Sequence, residues 1–164
     1  MDLLKLSTEW ARAELFSAKI VWLFSLITLI SAVGFSVWGK TAMAKAFVIP
    51  LAIAGVLFIV IGIGLYAANK PRIAQFEQEQ RTDRAAFITK EIARTTKSNQ
   101  DFVLVFKVLP ALAVLAAAAL LIAHAPVWRA AALVTLLVVV FLMLVDSNTA
   151  ARNEAYRQEL LNSK

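Results

Sequence analysis

The chain contains no cysteine. Disulfides, thiolate metal sites and cysteine nucleophiles are excluded, and the redox compartment cannot be read from thiol usage. There is one histidine, His124, whereas a catalytic zinc usually takes three protein ligands. Acidic side chains are missing from residues 15–76 and again from residues 102–145. A proton- or ion-coupled carrier usually exchanges its ion on an acidic residue inside the bilayer. The small four-span drug-efflux proteins carry such a glutamate early in the chain; the first apolar stretch here has none, so that resemblance fails. An intramembrane enzyme would need paired carboxylates, a histidine cluster or a serine with a base at depth. None is present, so no catalytic residue, metal ligand or cofactor site is expected. Basic patches interleaved with aromatics are also lacking, which speaks against nucleic acid as a partner despite a net charge of +6.

What the chain does have is apolar length. Residues 17–38, 46–68, 102–123 and 127–145 are four stretches, each near the ~20 residues that a helix needs to cross a bilayer. In lipid the backbone must satisfy its own hydrogen bonds, which selects helices. A chain of 164 residues is normally one domain. The expected fold is an all-α membrane protein: four transmembrane helices in an antiparallel bundle, with helical cytoplasmic extensions and an amphipathic N-terminal helix. Within this domain, residues 69–101 are expected to form a cytoplasmic helical hairpin, and residues 146–164 a helical cytoplasmic tail. Ala42-Met43-Ala44 looks like a signal-peptide cleavage site. The apolar run before it exceeds the usual ~7–15 residues, and Asp2, Glu9 and Glu14 are foreign to a basic leader, so cleavage is not expected.

Local signals fill in this plan. Leu3, Leu6, Trp10 and Ala13 recur at helical spacing, which predicts an interfacial helix turning into the first span near Lys19; a straight extension of that span is equally compatible. Trp22 and Trp38 mark the two ends of the first span, at headgroup level. Ser25, Thr28 and Ser31 form a polar stripe along it, a candidate pore lining or packing face. Gly55 and Gly62, seven residues apart, and nearby Gly64 predict close helix approach in the second span. Pro71 marks a boundary, and Ala85, Ile88 and Ile92 follow helical spacing beyond it. Pro110 predicts a kink in the third span.

Lysine and arginine fix the expected orientation. Thirteen lie in the N-terminal segment, residues 69–101 and the tail, against three in the two short links. Both termini and the long loop are therefore expected in the cytoplasm, in a bacterial inner membrane. Lys107 lies inside the third span, where an ionisable residue defaults to a functional hypothesis. Its expected partner is Asp146, at the same end of the fourth span. Asn69, Asn148 and Arg152 cluster with Asp146 in the boundary region as a candidate polar network or gate, which the Glu9, Arg12, Glu14 and Lys19 group could join. His124 is expected to be an interfacial anchor.

Two functions survive. The first is a homo-oligomeric channel or pore in the lipid bilayer, lined by the first-span stripe. Its topology is similar to that of the large-pore channels of animals, although the outer links here are tiny and lack cysteine. The alternative is a non-conducting accessory, assembly or immunity-type protein that meets a protein partner through its cytoplasmic polar layer. The fate of the stripe discriminates them: a channel needs it to face an open axis.

Overall fold

The computed structural model describes residues 3–163, and every regular element among them is an α-helix. The order is α1 (Leu3–Trp38), α2 (Ala42–Ala46), α3 (Val48–Asn69), α4 (Arg72–Thr82), α5 (Arg84–Ile122) and α6 (Pro126–Asn162). Four helical segments are long and apolar enough to cross a membrane: α1, the α2–α4 stretch, α5 and α6. Asp2 and Lys164, which entered the leader and orientation arguments, lie outside the described residues.

α1 is a single unbroken helix of 36 residues. The turn expected near Lys19 is absent, because one inward stripe runs through that position. Leu3, Ser7, Trp10, Glu14, Ser17, Val21, Ser25, Thr28 and Ala32 are all buried. Their spacing by steps of three and four keeps one face of a helix directed at its neighbours. The first five stand at the polar end and the rest among the spans, so a bend would break a shared interface.

Helix ends follow local chemistry. Pro71 sits in the turn between α3 and α4, where its ring stops the helix before it. Thr41 caps α2 by accepting from the Ala44 amide. Asp83 leaves the helical region (φ −153°, ψ 101°), and its carboxylate accepts from the Ala86 amide at 3.0 Å, which starts α5. Pro126 opens α6 as one of its first residues, where a missing N–H costs nothing. Pro110 lies inside α5 without interrupting it.

α1 packs chiefly on α3, and α5 chiefly on α6. The seam between α1 and α3 depends on glycine. A Cβ on Gly55 would stand 2.6 Å from Leu29, and one on Gly62 would run into the Trp22 indole. Both glycines thus serve contacts inside the chain, whereas Gly64 meets nothing. Lipid supplies little hydrophobic drive between helices, so close van der Waals packing must hold such a seam. Phe24 extends it to α6 by stacking on Phe141 at 3.9 Å, and Phe58 meets both rings edge-on. By contrast, the apolar half of α5 buries only Ala116. An apolar groove of about 620 Å³ separates it from α3, with Ile53, Leu57, Leu112 and Val138 among its walls.

A second core lies at the polar end. Leu3, Trp10, Phe76, Phe87, Tyr156 and Leu160 come from α1, α4, α5 and α6 and form one cluster. The N-terminal segment, the residues after Pro71 and the C-terminal tail therefore meet at the same end of the molecule.

Candidate functional site

The polar end encloses charge as well as apolar surface. At its centre Trp10 stacks on Tyr156 with ring centroids 5.3 Å apart. The Arg94 guanidinium lies 4.1 Å from the Trp10 ring centroid, and that of Arg72 lies 5.5 Å away. A planar cation over an indole face is attracted by the ring quadrupole. Arg94 is held in place by a two-pronged pair with Glu91, the shortest contact being 2.8 Å. Glu91 is buried, and the Tyr156 hydroxyl donates to it at 3.1 Å while lying 2.8 Å from Ser7 Oγ. Burial and the Glu91 charge push the Tyr156 hydroxyl well above the usual phenol range. It therefore stays protonated and remains a donor. Burial, and secondly the charge of Arg94, pull Arg72 below the usual arginine range.

Closer to the spans, Arg152 reaches across from α6 to α1. Its guanidinium donates to Glu14 Oε1 at 3.0 and 3.2 Å, to Ser17 Oγ at 2.7 Å and to Thr149 at 3.1 Å. Glu14 is 2% exposed. A buried carboxylate without such a partner would be strongly unfavourable. On the other side, Asn153 ties α6 to α5 by donating to the Thr95 carbonyl at 2.9 Å and to Asn99 at 2.6 Å. Asn99 in turn donates to Glu154. Glu154 also accepts from Arg157 and Gln158, which hold its carboxyl well below the usual range, at about 2.

Between these pairs lies a cavity of about 320 Å³, bounded by α1, α3, α4, α5 and α6. Leu65, Ala68, Phe102 and Val145 form its wall toward the spans. Its charged lining is Glu14, Arg72, Arg94, Lys97, Asp101 and Asp146. Two of these are already committed, Glu14 to Arg152 and Arg94 to Glu91. Two cations, Arg72 and Lys97, and two carboxylates, Asp101 and Asp146, have no ion-pair partner among the described residues. Trp10 and Asn153, which border the cavity, each keep one fully buried polar atom, Nε1 and Oδ1, without a hydrogen bond among the described residues.

The residues singled out in the sequence are only partly gathered here. Asn69 lines the cavity and accepts from Arg72 at 3.0 Å, and Arg152 is the hub of the Glu14 network. Asp146 lines the cavity too, but no ion pair joins it to Lys107. Lys107 is exposed on α5, away from the cavity, so the expected pair is corrected. Asp146 lies on the face of α6 that borders the cavity, and Lys107 on an exposed face of α5. Asn148 is exposed and donates only to the Leu144 carbonyl of its own helix. Of the group around Glu14, Glu9 pairs with Lys5, while Arg12 and Lys19 are exposed. His124 is also exposed, in the link between α5 and α6.

The first-span stripe divides. Ser25 is buried and donates across the seam to the Gly55 carbonyl at 2.7 Å. Thr28 is buried and donates to carbonyls of its own helix, those of Phe24 and Ser25. Ser31 is half-buried and bonds back to Ile27.

Sequence reasoning missed Ser7, Trp10, Glu91, Asn153 and Tyr156 as one network. The available signal was the polar members themselves: Ser7, Glu14 and Ser17 share the spacing of Leu3, Trp10 and Val21. Comparison with protein-family models, curated proteins and solved structures gives no match.

Proposed function

We propose that the chain is a non-conducting membrane protein that works through the polar end of its bundle. Four antiparallel spans hold it in the bilayer, with both termini and residues 69–101 in the cytoplasm. The antiparallel arrangement is supported by descending contact pairs between α1 and α3 with its N-cap, Trp22 with Tyr66, Phe24 with Phe58 and Phe35 with the cap residue Phe47. The orientation rests on the thirteen-to-three excess of basic residues.

The observation that carries the reading is the Ser25 bond to Gly55. A hydroxyl that lines a water path would be solvated. This one is spent on a carbonyl of the neighbouring span, and Thr28 is spent on its own helix. Gly55 and Gly62, whose small size would suit contact with a second copy, are likewise used within the chain. What remains free is the charged cavity at the polar end, with an apolar wall on one side and unpaired charges on the other. Cavities of this size with a few convergent polar groups are the usual form of a binding site. The test is ion flux from liposomes that contain the purified protein, across a range of protein-to-lipid ratios. Flux no greater than from protein-free liposomes is expected. Flux that rises with protein and changes in Ser25→Leu would restore the channel.

A further inference from the structure

We propose that the polar-end cavity binds an aminoalkyl phosphate, the headgroup chemistry of an aminophospholipid, with its phosphate on Arg72 and Lys97 and its ammonium on Asp146. The proposal deepens the reading of the polar end as a binding surface and rests on it.

The first argument is charge balance. Once the internal pairs are set aside, the lining keeps two cations and two carboxylates. A purely anionic ligand would leave Asp101 and Asp146 facing its charge, and a simple cation would face Arg72 and Lys97. A ligand that carries both signs satisfies both sets. Among the described residues no three carboxylate or imidazole groups converge as a metal site. A single carboxylate suffices for an ammonium. Arg72 is suited to a phosphate because its planar fork donates to two oxygens at once.

The second argument is position. The cavity lies where the apolar stretches of α3, α5 and α6 give way to charge, next to Leu65, Phe102 and Val145. Its volume of about 320 Å³ holds a headgroup, and acyl chains would continue along the apolar side.

Native mass spectrometry of the purified protein in mild detergent tests this. Equimolar phosphatidylethanolamine, phosphatidylcholine and phosphatidylglycerol of matched chains would be added together. One phosphatidylethanolamine should be retained in preference to the others by about fivefold, the size expected of one partly exposed charge pair. Choline lacks N–H donors, and glycerol lacks the positive charge. Asp146→Asn should abolish the preference, and Arg72→Gln should weaken retention of all three lipids. Asp146 has no ion pair or side-chain hydrogen bond among the described residues, so its variant should keep the wild-type melting temperature. Lys107→Gln, on the exposed face of α5, should bind as wild type. Free glycerophosphoethanolamine in excess separates the two sources: competition would identify the headgroup alone as the ligand, and no competition would mean that the acyl chains are required. Equal retention of the three lipids, preference for phosphatidylglycerol, or an unchanged preference in Asp146→Asn would overturn the proposal. Such a failure in liposomes that pass no ions would leave the non-conducting reading standing.

Discussion

Arg152→Met should cost more stability than Glu14→Leu, although the two remove opposite halves of one ion pair. The reason is their unequal burial. Glu14 has a side chain 3% exposed, against 30% for Arg152. Losing Arg152 strands a buried carboxylate whose one other contact is Thr149 at 3.4 Å. Stranding a buried charge costs about 3–5 kcal/mol, and the lower end applies where water can enter by the vacated guanidinium. Losing Glu14 leaves a cation that still reaches water, Ser17 and Thr149. That loss should be about 1–2 kcal/mol. The double variant should be milder than the sum of the singles by about 1–3 kcal/mol, since neither charge is then stranded. The assay is a double-mutant cycle on unfolding in mild detergent, followed by tryptophan fluorescence. Additive losses, or a larger cost for Glu14→Leu, would refute the idea that this pair ties α1 to α6.

Gly62→Leu should destabilise the protein by about 3 kcal/mol or prevent folding, since its side chain must displace the Trp22 indole, while Gly64→Leu should be neutral; melting temperatures in detergent compare them. Lys107→Leu should change stability by less than about 0.5 kcal/mol whether or not Asp146 is present, because Lys107 is exposed and no ion pair joins the two among the described residues. Glu154 has its carboxyl held at about 2, below its unfolded value near 4.5. Its contribution is thus fully present above the unfolded value and is lost as pH falls toward about 2. Glu154→Gln should remove that part of the acid sensitivity, which amide exchange around Asn99 and Asn153 would read.

The apolar layer was legible because its chemistry is one-dimensional. Runs near bilayer length at residues 17–38, 46–68, 102–123 and 127–145 correspond to segments of α1, α2–α3, α5 and α6. The expected helical character after Pro71 also matches α4 and the first part of α5. The polar end was harder, because periodicity was sought in apolar residues alone. Leu6 and Ala13 follow helical spacing with Leu3 and Trp10, yet Ser7 and Glu14 are the residues buried beside them. A polar residue joins an inward stripe only if a partner on another helix satisfies it. Tyr156 and Arg152 do so from 149 and 138 positions away. No local pattern carries that information. Asp83 is the opposite case: its capping bond to Ala86 is local, and the Thr-Asp-Arg-Ala order was readable as a helix start. The Lys107–Asp146 pair failed for a third reason. Similar distance from the span ends does not determine azimuth, and Asp146 lines the cavity while Lys107 does not.

The most direct measurement is the reactivity of a single cysteine at position 25 toward a small hydrophilic thiol reagent in intact membranes. The chain has no cysteine of its own, so the signal is unambiguous. Ser25→Cys should remain unlabelled on the time scale at which Lys40→Cys, in the exposed link, labels fully. The expected protection follows from the seam: Ser25 is 2% exposed and lies against the Gly55 carbonyl. Labelling of Ser25→Cys at a rate close to that of Lys40→Cys would mean that the stripe faces water, and the non-conducting account would be wrong.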